Sequence, residues 1–345
     1  MSRFAPLLAI TVMFTMLVGC RQEAQQGTGA GVGPASPTPA GQAPKKVKIG
    51  IVTNAVAPFW SPMEVGMKEA ASRLPGCEAS WQGPQNARVA EQRRLIENYV
   101  AQGVDGLAVS PLEPEAIKPV INELVAKGVK VVCIDSDIPD SDRMAYIGTD
   151  NFKAGHVLGK KLLELMGDKP GKAVAFVGTL SAQNARDRLD GLKDALRGSK
   201  IEVVDVRQDN TDKGKARRNV EDTLQAMPDV NILIGLWSYN LPAIAEAVKQ
   251  SGKRGKITVI GFDAEPATIQ SLRESNIDAT VVQKPYYFGY LAVMLLYNMV
   301  VCGVEAVQMT LPKPNNVVDT GVEVITPKTL DSYLEGLKKL GIESS

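Results

Sequence analysis

The chain has 345 residues, more than one compact core usually organises, so its length calls for two lobes. Hydrophobic residues at 44% and charged residues at 22% are those of an ordinary globular protein, which excludes fibrous and disordered classes. A formal net charge of +1 leaves no basic field for holding a nucleic acid.

The first twenty residues carry Arg3, an apolar run over residues 4–18, and then Gly19-Cys20. This is the layout of a secretory signal, and the run is short for a membrane span. The stretch LVGC resembles the lipobox of bacterial lipoproteins, which implies that residues 1–20 are a lipoprotein signal peptide and that Cys20 is lipidated. Residues 21–46 are rich in Gly, Ala, Pro and Gln without apolar periodicity and read as a flexible tether. Their glycines form no GxGxxG after a strand, so no dinucleotide site is expected there. The other cysteines, Cys77, Cys133 and Cys302, are odd in number and lack CxxC spacing. They define neither a disulfide framework nor a zinc site, and whether two of them pair stays open. Cys133, inside VKVVCID, reads as a buried strand residue.

From Val47 onward the chain alternates. Apolar, β-branched runs occur at VKIGIVT, GLAVSP, VKVVCIDSD, KAVAFVG, IEVVDVR, NILIGLW, ITVIGFD and ATVVQKP. Amphipathic helical stretches such as VAEQRRLIENYVAQG, AIKPVINELVAKG, VLGKKLLELMG, ARRNVEDTLQAM and LPAIAEAVKQSG separate them. Strands without polar alternation are covered on both faces, so the sheets are parallel and the class is α/β, doubly wound, with enough units for two sheets. A seam is expected at residues 148–151, GTDN. The stretch YYFGYLAVMLLYNMVVCG is apolar but interrupted by Asn298, tyrosines and glycines, and reads as a buried crossover helix rather than a span. A last helix is expected from TPKTL, with Thr326 as N-cap and Pro327 in its first turn.

Open parallel sheets bind ligands beyond the carboxyl ends of their strands. Thr53 ends the first run, and Phe59 and Trp60 follow behind Pro58. Two adjacent aromatics cannot both enter one core face, so one of them is expected to face a ligand. The later runs end at Ser110, at Asp135-Ser136-Asp137, at Trp237, at Asp263 and at Gln283. Arg186 and Arg188 follow the run KAVAFVG, and Asn210 follows IEVVDVR. Singly, an Asp after a strand is often only a helix N-cap and a Trp only packing. Jointly, aromatic planes, carboxylates, arginine and amides match a sugar or polyol, whose C–H faces stack on rings and whose hydroxyls donate and accept. The sole histidine, His156, lies in a helical stretch and reads as structural, and no GxSxG, Walker loop or HExxH occurs. A hydrolytic pair of Asp135 and Asp263 is the enzymatic alternative.

The stretches NAVAPFW, QGVDGLAVSP, VVCIDSD, YIGTDNFKAG, NARDRLDGL, VIGFDAEP and ATVVQKP occur in an order and spacing that resemble the periplasmic sugar-binding proteins of ABC importers, of the ribose and galactose type. The resemblance runs from about Val47 to Val324. It implies the periplasmic binding protein type I fold, two Rossmann-like lobes joined by a three-crossing hinge with the sugar held between them. Phe59 and Trp60 match the family's stacking pair, Asp135 and Asp263 its carboxylates, Arg188 its arginine and Gln283 its hinge amide. Thr53 and Ser110 match small polar positions. Ribose-type members differ in carrying Asn where this chain has Ala57, Ser110 and Trp237, and Arg where it has Ser136. Asn210 stands nearest to where they place a second-lobe aromatic, so Trp237 is expected to take over that stacking role. The expected ligand is accordingly another monosaccharide or a cyclic polyol.

The resulting expectation is a first lobe of residues 47–149 plus 284–312 and a second of residues 150–283 plus 313–345, with crossings at residues 150–151, 283–284 and 312–318. Arg188 and Asp263 are expected to face the ligand and to lie outside any core. The expected function is a monomeric, lipid-anchored receptor of the periplasm or cell envelope that needs no cofactor or metal, binds no nucleic acid and delivers its sugar to an ABC permease. The alternative is the same fold presenting a sugar or furanosyl signal to a membrane sensor kinase or chemoreceptor. A sugar-responsive repressor would need a DNA-binding headpiece where this chain has a signal and tether.

Overall fold

Two six-stranded sheets organise the computed structural model, which describes residues 46–342. The signal, Cys20 and the tether up to residue 45 lie outside the described residues. In the first sheet β1 (Val47–Val52), β2 (Cys77–Gln82), β3 (Gly106–Val109), β4 (Lys130–Ile134), β5 (Ala145–Gly148) and β11 (Val317–Asp319) run in the order β11-β5-β4-β3-β1-β2, all parallel. In the second, β6 (Gly171–Val177), β7 (Ile201–Gln208), β8 (Ile232–Gly235), β9 (Thr258–Phe262), β10 (Ala279–Val282) and β12 (Glu323–Ile325) run in the order β12-β10-β9-β8-β6-β7. Only the β10–β12 pairing there is antiparallel.

Both faces of each sheet are covered, as the unbroken apolar runs require. Ile49 and Ile51 enter one core of the first lobe while Val52 enters the other. In β6, Ala173, Ala175 and Val177 face one second-lobe core, and Val174 and Phe176 the other. The covering helices in chain order are α1 (Ser61–Arg73), α2 (Val89–Ala101), α3 (Pro114–Ala126), α4 (Asn151–Met166), α5 (Gln183–Ala195) and α6 (Lys213–Ala226). They continue with α7 (Asn240–Gln250), α8 (Pro266–Arg273), α9 (Pro285–Val301), α10 (Val304–Met309) and α11 (Leu330–Lys339).

Helix α9 is the apolar stretch that raised the membrane question. It is buried around most of its circumference against α1 and the first sheet, and no described helix is long and apolar enough to cross a membrane. Glycines let α1 and α9 meet backbone to backbone: a Cβ on Gly66 would lie 2.1 Å from the Tyr286 carbonyl oxygen, and one on Gly289 2.1 Å from that of Met63. The second lobe repeats the device between α4 and α5, where a Cβ on Gly155 would lie 2.1 Å from the Arg188 carbonyl oxygen.

The chain passes between the sheets after β5, after β10 and after β11. The third passage corrects the expected boundary. Val317–Asp319 pairs with β5, Val318 opposite Ile147, so residues up to 319 belong to the first sheet and the crossing falls at residues 320–322 instead of 312–318. The far end of the chain departs as well: Leu330 packs in a second-lobe core, but Ile342 is buried in the first lobe. The last helix begins one turn later than expected. The Thr329 amide donates to the Thr326 carbonyl and its hydroxyl accepts from the Thr326 amide, both at 3.0 Å, so residues 326–329 form a closed turn and Thr329 is the N-cap. Cys77 and Cys133 are free thiols.

Candidate functional site

The strand exits of both lobes converge on one cleft of about 510 Å³. After β1, the Thr53 hydroxyl donates to the Ala55 carbonyl at 2.8 Å and accepts from the Trp81 indole at 2.9 Å, which fixes the turn that follows. Ala57 is extended, and Pro58 starts a single 3-10 turn that ends at Trp60 and runs into α1. Phe59 and Trp60 meet edge to face, centroids 4.9 Å apart at 78°. Both line the cleft. Trp60, only 1% exposed, belongs to the first-lobe core, whereas Phe59 keeps part of its surface open. The side-by-side pair thus differs in depth: Trp60 is a core residue at the cleft floor, and Phe59 packs against that core and stays partly open.

Asp135 leaves β4 with φ 59°, a left-handed conformation that an L-residue adopts at a cost. Its Oδ2 accepts from the Ser110 hydroxyl at 2.9 Å and from Asn184 Nδ2 of the opposite lobe at 3.4 Å. Asp263 leaves β9 in the same conformation, φ 67°, and its carboxylate accepts from Gln283 Nε2 at 3.2 and 3.3 Å. Arg188 reaches in from α5. Its Nε donates to Asn151 Oδ1 at 2.9 Å, its Nη1 donates to the Leu236 carbonyl at 2.8 Å and lies 3.9 Å from Asp263 Oδ2, and its guanidinium sits 4.3 Å from the Phe262 ring centre. Burial pushes the Asp135 carboxyl up to about 6, with Arg188 and the Ser110 hydroxyl opposing. Burial also raises Asp263, against the pull of Arg188 and Gln283.

Trp237, after β8, lies over the backbone of Gly178, where a Cβ would come 2.1 Å from its Cζ3. It meets Tyr239 edge to face at 6.4 Å. Asn210 follows β7 with φ 57°. Four polar atoms on cleft-lining residues are buried without a partner: Arg188 Nη2, Trp237 Nε1, Asn184 Oδ1 and Gln283 Oε1. Together with the two carboxylates they offer donors and acceptors within one space that also has aromatic walls.

Of the residues expected from sequence, Phe59, Trp60 and Asp135 line the cleft from the first lobe, and Arg188, Asn210, Trp237, Asp263 and Gln283 complete it. Thr53, Ser110 and Ser136 do not. Thr53 and Ser110 are fully buried and spend their hydroxyls on the protein, so they shape the wall from behind. Ser136 is buried beside Asp135 with its hydroxyl unpartnered. Asp137 forms a buried ion pair with Arg143, and Arg186 donates to the Leu180 carbonyl, so both serve local structure. His156 faces Asp194 at 3.3 Å across the α4–α5 contact. Sequence reasoning missed Asn184, which stands in the same NARDRL stretch as Arg188, and Tyr239, two residues beyond Trp237. An asparagine at a helix start and a tyrosine in a turn carry no signal of their own.

The periplasmic binding protein domain matches residues 49–303. The ribose import binding protein of Bacillus subtilis is 28% identical over 284 residues, which cover 82% of this chain and 88% of that one. GanP, a glucose-galactose binding protein from Geobacillus stearothermophilus, superimposes with a TM-score of 0.75 at 33% identity, over 82% of this chain and 98% of its own. An ABC transporter solute-binding protein from Burkholderia graminis, solved with D-arabinose, has a TM-score of 0.76 at 30% identity, over 85% and 99%.

Proposed function

Because the chain belongs to the periplasmic binding protein domain family, we propose that it is an extracytoplasmic receptor that captures a monosaccharide or cyclic polyol between its lobes and delivers it to the permease of an ABC importer. One observation carries this reading. Two unpartnered donors and two unpartnered acceptors stand with two carboxylates and two aromatic pairs around a single interlobe cleft. Each sugar hydroxyl both donates and accepts, and the C–H faces of the ring stack on aromatics, so such a ligand satisfies every group at once. The relatives point the same way, since their names carry ribose, glucose-galactose and D-arabinose, and none is named as an enzyme. The lobes close on the three crossings, and the Asn184–Asp135 bond already links them across the cleft. Closure removes water from the charged groups and strengthens their bonds to the ligand.

A panel of neutral monosaccharides and polyols tests the reading on the soluble part, residues 45–345. A cognate ligand at a hundred times its dissociation constant raises the unfolding free energy by about 2.7 kcal/mol. No thermal shift from any member of the panel refutes it.

The anchor is a separate part of the proposal. Lipidation at Cys20 holds the mature, monomeric protein to the membrane, because two or three acyl chains anchor stably where one is marginal. Cys20→Ser is expected to be released from cells without detergent while the natural chain is not. A natural chain that fractionates as free soluble protein overturns the anchor and leaves the sugar reading intact.

A further inference from the structure

Asp209 ends the run IEVVDVRQD behind the cleft wall and does not line the cleft. It is fully buried, and its carboxylate reaches three groups on two segments. Oδ1 accepts from the Thr211 amide at 2.8 Å and from the Tyr239 hydroxyl, and Oδ2 accepts from Asn240 Nδ2 at 2.8 Å. Asn240 in turn accepts from the Trp237 amide at 3.2 Å. Three residues of the network stand in the second-lobe wall: Thr211, whose turn with Asn210 is at positive φ, and Tyr239 are held by Asp209 directly, and Trp237 is held through its backbone amide by way of Asn240, which lies behind the wall. Gly178 completes the seat, since a Cβ there would strike Trp237 and come 2.9 Å from the Tyr239 oxygen.

A fully buried carboxylate is an expensive way to hold a core, and apolar side chains of the same volume often serve as well or better. The bond to Thr211 is a local turn, but those to Tyr239 and Asn240 cross 30 and 31 residues of chain. They tie the loops that leave β7 and β8, the strands on either side of β6, into one rigid surface. With its oxygens taken and none of its surface exposed, Asp209 has nothing left to offer a ligand.

We propose that Asp209 is a positioning residue: without touching the ligand, it holds the Asn210–Thr211 turn, Trp237 and Tyr239 in the shape that receives it. The inference rests on the reading of the cleft as a sugar site. Stacking depends on ring placement, so a wall that loosens by a fraction of an ångström keeps its fold and loses affinity.

The test labels the ligand-free protein with 5-fluorotryptophan. Its three tryptophans divide as Trp60 and Trp81 in the first lobe and Trp237 in the second. Asp209→Asn is expected to shift or broaden the fluorine resonance of Trp237, assigned with Trp237→Phe, and to leave the other two in place. For the monosaccharide that the natural protein selects from the panel, affinity is expected to fall about ten- to a hundredfold. Tyr239→Phe removes one of the three ties and should cost less, and the double variant should lose no more than Asp209→Asn alone. An unmoved Trp237 resonance, binding within twofold, or additive losses overturn the proposal. If Asp209→Asn collapses all three resonances, Tyr239→Phe decides: it must move the Trp237 signal and weaken binding, or the proposal fails. If the natural protein binds no neutral sugar, the reading of the cleft falls, and the fluorine comparison alone judges Asp209.

Discussion

Arg188→Ala is expected to weaken ligand binding roughly thirty- to a thousandfold, a loss of about 2–4 kcal/mol. Arg188 is 1% exposed, and its guanidinium is engaged by Asn151, the Leu236 carbonyl and the Phe262 ring. Nη2 alone lacks a partner, which makes it the donor available to a sugar oxygen. Removing the group takes away that donor and leaves Asp263 buried with only Gln283 beside it. The sequence placed Arg188 outside any core, and a binding variant of normal stability followed from that. The structure changes this expectation: Arg188 is among the largest fully buried side chains. Its loss strands the Leu236 carbonyl and the Asn151 oxygen, so the ligand-free variant should also lose roughly 3–5 kcal/mol of stability. Arg188→Lys separates the two effects. It keeps the charge but not the planar fork, so it should recover stability more than affinity. Calorimetry well below the melting temperature reads the affinity, and binding of Arg188→Ala within threefold of the natural chain removes Arg188 from the site.

Asp135→Asn is expected to act in the opposite sense on stability. The carboxyl sits at about 6 in the folded protein against an ordinary value of 3.8, because burial disfavours its charge. Below about pH 4 the group is protonated whether the chain is folded or not, and it imposes no penalty. Between about pH 4 and 6 the unfolded chain gives up the proton first, so folding loses stability as pH rises, and above about pH 6 the loss is complete. The gap between the two values corresponds to a penalty on the order of 3 kcal/mol at pH 7. The neutral asparagine should recover most of it in the ligand-free protein and flatten the stability profile between about pH 4 and 6. Asp137, Asp187, Asp209 and Asp263, raised in the same direction by burial, contribute slope of the same sign that remains in the variant. Binding should pay for this gain, as stabilised site variants commonly do. A sugar hydroxyl donating to Asp135 favours its ionised form, so affinity for the natural chain should weaken as pH falls through about 6, and that dependence should shrink in the variant. Denaturant titrations across pH 4–8 check the first claim, and a variant no more stable than the natural chain at pH 7 defeats it.

Strand exits proved a good guide to which residues approach the cleft and a poor guide to what their side chains do there. Asp135 and Ser110 both end apolar runs, yet one lines the cleft and the other turns its hydroxyl onto the first. Nothing local separates them, because the bond that decides the matter spans 25 residues. Thr53 is similar, since its partner Trp81 lies on β2, a strand with no apolar run. That strand, CEASWQ, is an edge strand with one side open, and its alternating burial leaves polar residues at every second place. Strands β11 and β12, of three residues each, are too short to stand out, and the unread β11 is what displaced the third crossing.

What the sequence determined by itself was the architecture: two parallel α/β lobes, a buried α9 in place of a membrane span, and the aromatic and charged residues at the strand exits. These follow from periodicity and composition, which act over a few turns of chain and need no partner to be legible. The tertiary structure alone decided which of two adjacent aromatics is buried in the core, where the third crossing runs, and that Arg188 is fully buried as well as lining the cleft. It alone brought Asn184 to Asp135 across the cleft, and Asp209 beneath Trp237 and Tyr239. The physical reason is the same in each case. A buried polar group takes whichever partner the fold brings within hydrogen-bonding distance, and that partner lies tens of residues away in the chain.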